Sequence, residues 1–406
     1  MAQTTNNKAL YVLMLNLFIT MGGIGLIIPI MPQFLAEFGA GGQALGFLVA
    51  LFALGQFLFS PIAGELSDRY GRKKFIIGGL ILYGLSSILI GVAEQFWLLF
   101  VARFLTGIGA AFIIPPIMAF VADITTFEER GKGMSRAGAA ISFGFMIGPA
   151  IGGFLSKVDI AFPFILAGIV AFVAAVLSVF LLPNVVKPAE QMATKADAQP
   201  KKRDNLFKQL ALSTKTPYFV ILIIIFAFSF GIANFQATLS IYLDNKFNYT
   251  PTDIAIIMTV GGFAGVVLQI FVIEKLFKRF GEMKVILVSL AVAAVSMLCI
   301  IFISGYFMMI FVGTVFSIAT TFIRPAVNTL VSKMAGREQG FAAGMNNAYM
   351  SLGSMFGPAL AGILFDWKAD SPYIFGTFVL AGCFLLAYFW TVNKAPQLLK
   401  PSGKQQ

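Results

Sequence analysis

Two arginines, Arg103 and Arg324, stand inside long apolar runs of a chain that contains no histidine. A charge within a bilayer is costly enough to imply a task for it. The 18 Asp and Glu, by contrast, all fall in connections or near the ends of those runs. Without His the usual neutral-pH proton carrier and the commonest metal ligand are missing, and no nucleophile–His–acid set can be assembled. Cys299 and Cys383 both lie inside apolar runs, with no metal-ligand spacing and no reading as an extracellular staple. No G-x-x-x-x-G-K-[ST] sequence occurs, so no phosphate-cradling loop lets ATP drive the chain directly. "GAGGQA" (39–44) matches a dinucleotide fingerprint but follows no strand and opens no βαβ unit, which removes that reading. The expectation is a non-enzyme with no metal and no cofactor.

A second cluster could do mechanical chemistry. "GELSDRYGRKK", Gly64 to Lys74, holds six charges in eleven residues between two apolar runs. Gly64 and Gly71 permit a tight reversal. Asp68 is expected at the start of that turn, accepting backbone N–H groups or pairing with Arg72, with Arg69 beside it. An anchor to the membrane surface needs only basic residues. An acid and two glycines in register read instead as a charged latch holding two helices in one of two arrangements.

The elements that must position these groups follow from composition. The chain is 58% apolar and 12% charged, with 44 Phe, where average soluble domains are about 45–50% apolar and about 25% charged. Its natural solvent is a bilayer. Runs long enough to cross one sit near 9–36, 44–63, 75–93, 96–122, 134–156 and 160–183, and again near 217–243, 252–273, 284–304, 306–332, 340–365 and 372–392. The ninth and tenth are separated at Ser304-Gly305-Tyr306, because the 39 uncharged residues from Val285 to Ile323 are about twice what one crossing needs. Of 29 Lys and Arg, 24 fall on the side of the N-terminus, two inside spans, and three (Lys157, Lys246, Lys368) on the other side. Both termini are therefore expected in the cytoplasm. That bias also explains the net charge of +11 without nucleic acid. The first span lacks a short h-region with a cleavage site, so no cleaved signal peptide is expected.

The chain repeats itself. "GFMIGPAIGG" (144–153) and "GSMFGPALAG" (353–362) match at an offset of 209, which also pairs Pro116 with Pro325 and Glu129 with Glu338. Two pseudo-symmetric six-helix halves are expected, 1–183 and 217–406, joined by a cytoplasmic linker at 184–216. Parallel repeats of this kind place a substrate site near mid-membrane between the halves. Its lining is expected from the polar and aromatic residues that interrupt spans 1, 4, 5, 7, 10 and 11. These are Asn16, Arg103, Phe143, Asn234, Gln236, Thr321, Arg324, Asn328 and Asn346, and for each a helix–helix hydrogen bond is the competing role. Gly144, Gly148, Pro149 and Gly152, with Gly353, Gly357 and Pro358 in the second half, bare one helix face and weaken its backbone bonding. They are expected to let a neighbour approach closely and bend.

"GELSDRYGRKK" resembles the signature loop of the major facilitator superfamily. "RFLTGIGAA" (103–111) resembles its span-four motif, "GFMIGPAIGG" its antiporter motif, and "GGIGLIIPIMP" (22–32) the first-span motif of its twelve-helix drug:proton antiporters. With "FIRPAVN" (322–328) and "GMNNAYMSLGSMFGPALAG" (344–362), most of the chain resembles Gram-positive norfloxacin exporters. The resemblance implies proton-driven export of amphipathic small molecules from a bacterial cell by a multi-pass membrane protein, expected as a monomer. The competing readings are a proton-linked flippase or facilitator for an anionic lipid or metabolite, and a membrane sensor or structural protein that transports nothing. It also implies that Asp68 and Arg72 join Asp123, low in span four, in one gate. The group carries membrane-embedded acids in spans seven and ten, and those positions are Gln236 and Thr321 here. The proton is therefore expected on an acid nearer the surface, first Asp123, then Glu65 or Asp253.

Overall fold

Backbone N–H and C=O groups in hydrocarbon must be satisfied within their own segment, which leaves these apolar runs little choice but helix. The computed structural model describes residues 7–126, 129–183, 206–335, 339–394 and 396. Among the described residues there is no strand, and twelve helices are long and apolar enough to cross a membrane. The first six are α1 (Asn7–Ala36), α2 (Gly42–Tyr70), α3 (Arg72–Gly91), α4 (Phe96–Ile124), α5 (Arg130–Leu155) and α6 (Phe162–Leu181). A short helix α7 (Leu206–Ser213) precedes α8 (Phe219–Phe247) and α9 (Pro251–Phe271). The amphipathic α10 (Ile273–Phe280) leads into α11 (Glu282–Cys299), and α12 (Tyr306–Met334), α13 (Gln339–Trp367) and α14 (Ser371–Lys394) follow.

Three local expectations change. The 184–216 linker contains α7, docked on α13 by a 2.9 Å hydrogen bond between the Ser213 and Tyr349 hydroxyls; residues 184–205 lie outside the described residues. The segment between the eighth and ninth spans is helical as α10 rather than a plain loop. Most of "GELSDRYGRKK" is not a turn either. α2 stays helical through Tyr70 and reverses only at Gly71, whose φ of +98° is the left-handed region that glycine tolerates. Gly64 is mid-helix. At 29 residues α2 is about 43 Å long, more than a core of about 30 Å, so its charged end projects past the hydrocarbon. There the pair Glu65–Arg69, four residues apart, supports the helix, whereas Asp68 reaches across the Gly71 turn to Arg72 of α3.

The internal repeat is visible in the packing. α1 lies against α5 and α6, α3 against α4 and α6, and α2 against α4. The second half repeats this with α8 on α13 and α14, α11 on α12 and α14, and α9 on α12. The halves meet through two related pairs, α2 with α13 and α5 with α9.

Those pairs touch at one end only. On α2, Gly46 and Gly64 are 18 residues apart, five whole turns, and share a face. A Cβ at Gly46 would collide with the Pro358 carbonyl and the Gly362 backbone; one at Gly64 would meet nothing within 4 Å. α13 mirrors this: Gly362 presses on the Gly42 backbone, whereas Gly344, 18 residues earlier, meets nothing within 4 Å. α5 behaves likewise, with Gly153 against the Pro251 backbone and Gly138 in open space. The halves thus form a wedge, open towards the end that carries the Gly71 and Gly281 turns and closed at the other.

Candidate functional site

At the open end, the charges of the signature stretch form one network. Arg72, the first residue of α3, is nearly buried. Its Nη2 donates to Asp68 Oδ1 of α2 at 2.5 Å, its Nε to Asp123 Oδ2 of α4 at 2.6 Å, and its Nη1 to Ser67 Oγ at 3.2 Å. A planar guanidinium can serve three partners in fixed directions, which a lysine cannot. Arg72 thereby ties α2, α3 and α4 together, and the structure brings Asp68, Arg72 and Asp123 to one point. Arg69 instead pairs with Glu65 at 3.1 Å on the exposed surface, clear of that network.

The second half holds a counterpart with the charges reversed, which the residue-level reading of the sequence did not isolate. Gly281 repeats the left-handed turn of Gly71 with φ +82°, and the next residue, Glu282, occupies the place of Arg72. Glu282 is nearly buried and accepts from Lys333 Nζ of α12 at 2.7 Å, where Arg72 donates to Asp123 of α4. Asp68 corresponds to Lys278, which pairs with Glu274 at 2.5 Å; that pairing holds the exposed Glu274 carboxyl below its usual range. The pairs Gly71/Gly281, Asp68/Lys278, Arg72/Glu282 and Asp123/Lys333 all share an offset of 210. That lies one residue outside the register of the repeat, and the signs are inverted, so a search for matching residue types passes over it.

The expected cavity residues divide. Phe143 of α5 is 48% exposed, with its ring 5.8 Å from that of Phe18 on α1. On α12 the face of Ser317 and Thr321, which packs on Gly261 and Gly265 of α9, continues to Arg324 and Asn328, both exposed. Asn346 of α13 donates to Asn328 Oδ1 at 2.8 Å. Gln236 is half-buried on α8. Four of the expected residues are buried and do not line open space in this arrangement: Asn346, 7% exposed, and Asn16, Asn234 and Arg103. Asn16 is fully buried and donates to Ser178 Oγ at 2.8 Å, joining α1 to α6. Asn234 is fully buried, with neither side-chain polar atom partnered among the described residues. Arg103 is 4% exposed and stands over the Phe52 ring, its carbon 5.3 Å from the centroid. Its Nε and Nη1 find no hydrogen-bond partner among the described residues. A small polar group buried in hydrocarbon seeks the nearest helix, and for Asn16 that attraction won.

The glycine faces serve two contacts. Gly144, Gly148 and Gly152 lie on the α1 backbone at Phe18, Gly22 and Leu26, with the Pro149 ring beside Gly25; Gly353 and Gly357 do the same on α8 at Phe226 and Phe230. Pro358 belongs instead to the contact between halves. Of the surface acids, Glu65 and Asp123 are at the open end, whereas Asp253 is at the closed end, in a capping box with Thr250 at the start of α9.

The comparisons with known proteins agree with this architecture. A family model described as Major Facilitator Superfamily matches residues 13–235 and 221–406. The chain is 40% identical to Multidrug resistance protein 2 of Bacillus subtilis, covering 95% of this chain and 96% of that one. It is 39% identical to Multidrug resistance protein 1 of the same organism, over 98% and 99%. Quinolone resistance protein NorA of Staphylococcus aureus is 35% identical over 90% and 92%. Among solved structures, a bacterial homolog of the human lysosomal transporter Spinster, inward-facing and occupied, superposes with a TM-score of 0.79 at 14% identity, covering 99% of this chain and all of that one. Twelve crossing helices, paired halves, the charged Gly71 turn and a family model spanning nearly the whole chain lead to one conclusion: the chain belongs to the Major Facilitator Superfamily.

Proposed function

We propose that this protein is a secondary active multidrug efflux transporter, exporting amphipathic small molecules of the quinolone and dye type by alternating access in exchange for protons. The observation that carries this is 35–40% identity, over nine-tenths or more of the chain, to proteins named for multidrug and quinolone resistance. Bacterial relatives and the twelve apolar helices support a place in the cell membrane, with the bilayer as solvent, and a monomer is the proposed state. The positive-inside bias puts both termini and the Gly71 turn in the cytoplasm, and the wedge described above then opens inward. Phe143, Arg324 and Asn328 meet a substrate entering from the cytoplasm.

The proton is carried without an acid at mid-membrane. Asp123 is the first acceptor, with Glu65 and Asp253 behind it. Protonating Asp123 removes the charge that Arg72 Nε bonds at 2.6 Å, so proton uptake and release of the latch are one event. Arg324 favours carboxylate-bearing or zwitterionic substrates over dications, because an unpaired like charge there is costly. The test is purified protein in liposomes carrying an imposed pH gradient. Ethidium or norfloxacin movement that requires the gradient supports proton-coupled efflux. Movement indifferent to the gradient and its collapse by ionophore removes the antiport assignment, and no movement of any substrate in a dye panel removes the exporter.

A further inference from the structure

A helix that enters hydrocarbon at its first turn needs its leading N–H groups satisfied, and α2 supplies nothing of its own. Its N-cap is Gly41, which has no side chain to accept a hydrogen bond. The acceptor comes from the other half. Asp366, at the end of α13, takes the Gly42 N–H on Oδ1 at 2.8 Å and the Gln43 N–H on Oδ2 at 2.9 Å. Among the described residues Asp366 enters no ion pair, so its carboxylate is committed to the α2 backbone. The "GAGGQA" segment, discarded as a nucleotide fingerprint, is the recipient of this cap. Its glycines allow the approach, since a Cβ at Gly42 would run into the Phe365 ring and Asp366 itself.

The related contact between α5 and α9 is built differently. α9 caps itself: Thr250 Oγ1 accepts the Asp253 N–H at 3.3 Å, and Asp253 Oδ2 accepts the Thr250 N–H at 3.0 Å. At the repeat offset of 209 the counterpart of Asp366 is Lys157. The bond between halves there is neutral, Thr252 Oγ1 to the Gly153 carbonyl at 2.8 Å. Of two symmetry-related helix starts at the closed end, one is capped within its own half and the other only across the interface.

We propose that Asp366 is a conformational clasp, a positioning residue that biases the transporter towards the arrangement closed at this end, because α2 has its cap only while the halves touch. Opening this end breaks two charge-assisted bonds at once, and a state-specific contact shifts a two-state equilibrium by its differential strength. The clasp deepens the alternating-access assignment and rests on it, so its test needs neither substrate nor gradient. Spin labels are placed on cysteines at Val158 and Asn245, both exposed at the closed end on opposite halves, with Cys299 and Cys383 replaced by Ser. Their separation is measured by double electron–electron resonance in nanodiscs. Asp366→Ala is expected to raise the ratio of long to short separations about tenfold, the scale of a lost helix cap. Adding Gly41→Ser gives α2 a cap of its own at a site whose φ of −108° suits any residue. That double variant is expected to regain thermal stability while its separations stay long. If Asp366→Ala fails to reach the membrane, Asp366→Asn, which keeps one acceptor, should shift the separations less but in the same direction. Unchanged separations in the single variants, or Gly41→Ser restoring both stability and separations, overturns the clasp and leaves Asp366 an ordinary cap.

Discussion

Arg72 and Arg324 are the same residue type in opposite circumstances. Arg72 is nearly buried and served by two carboxylates and a hydroxyl, so removing one partner unbalances a bonded charge by about 1.5–3 kcal/mol. Asp68→Asn should leave the protein in the membrane at normal level while cutting efflux about tenfold or more; near-normal efflux at matched expression would remove the latch. Arg324 is exposed on α12, and the proposed function gives its charge a part in selecting what enters. Arg324→Gln is expected to gain transport of a dicationic dye and lose carboxylate-bearing quinolones, measured side by side in one vesicle preparation. An unchanged ratio of the two rates shows that Arg324 biases nothing.

Between elements, two kinds of contact are the ones on which the proposed alternating access depends. α5 and α13 lie backbone to backbone on α1 and α8 through their glycines, close enough that a Cβ at Gly148 or Gly357 would strike a carbonyl of the facing helix. Leu at either position should block cycling. Gly262→Ala should be mild, because its new methyl would approach the flexible Met146 side chain at 3.3 Å and the Met146 backbone only at an ordinary 3.7 Å; full activity of both Leu variants shows that these contacts are not needed. The reversed-charge pair on α11 and α12 makes a second prediction. Glu282→Lys alone should impair transport by facing Lys333 with a like charge, and adding Lys333→Glu should recover much of it. No recovery in the double variant, with both proteins in the membrane, would show that the pair is not coupled.

For the whole molecule, the wedge sets which surface is reachable from which side. A cysteine at Phe143, in a chain lacking Cys299 and Cys383, is expected to react with a membrane-impermeant thiol reagent applied from the cytoplasmic side and to resist it from outside. The opposite pattern would invert the topology drawn from the loop charges. The proposed proton acceptors are also far apart, since Asp123 sits at the open end and Asp253 at the closed one.

The sequence by itself determined the number of crossings, the one-sided distribution of Lys and Arg, the repeat, and the charged stretch that holds Asp68 and Arg72, to which the family resemblance added Asp123. Each is written in hydropathy, loop charge or a short motif, all legible locally. It also shows Gln236 and Thr321 where the family resemblance implies acids, since a residue type needs no fold to be read. The tertiary structure decided which polar residues face open space. Asn16 and Asn328 are alike as residues and each bonds a neighbouring helix, yet packing buries Asn16 against Ser178 and leaves Asn328, bonded to Asn346, exposed. Gly46 and Gly64 share a face and a residue type, yet packing closes one and opens the other. The cap of α2 joins residues 324 apart in the chain. Nothing near Gly42 announces a carboxylate, because it arrives only when the halves meet, and contacts between rigid halves are set by their relative tilt rather than by any local pattern.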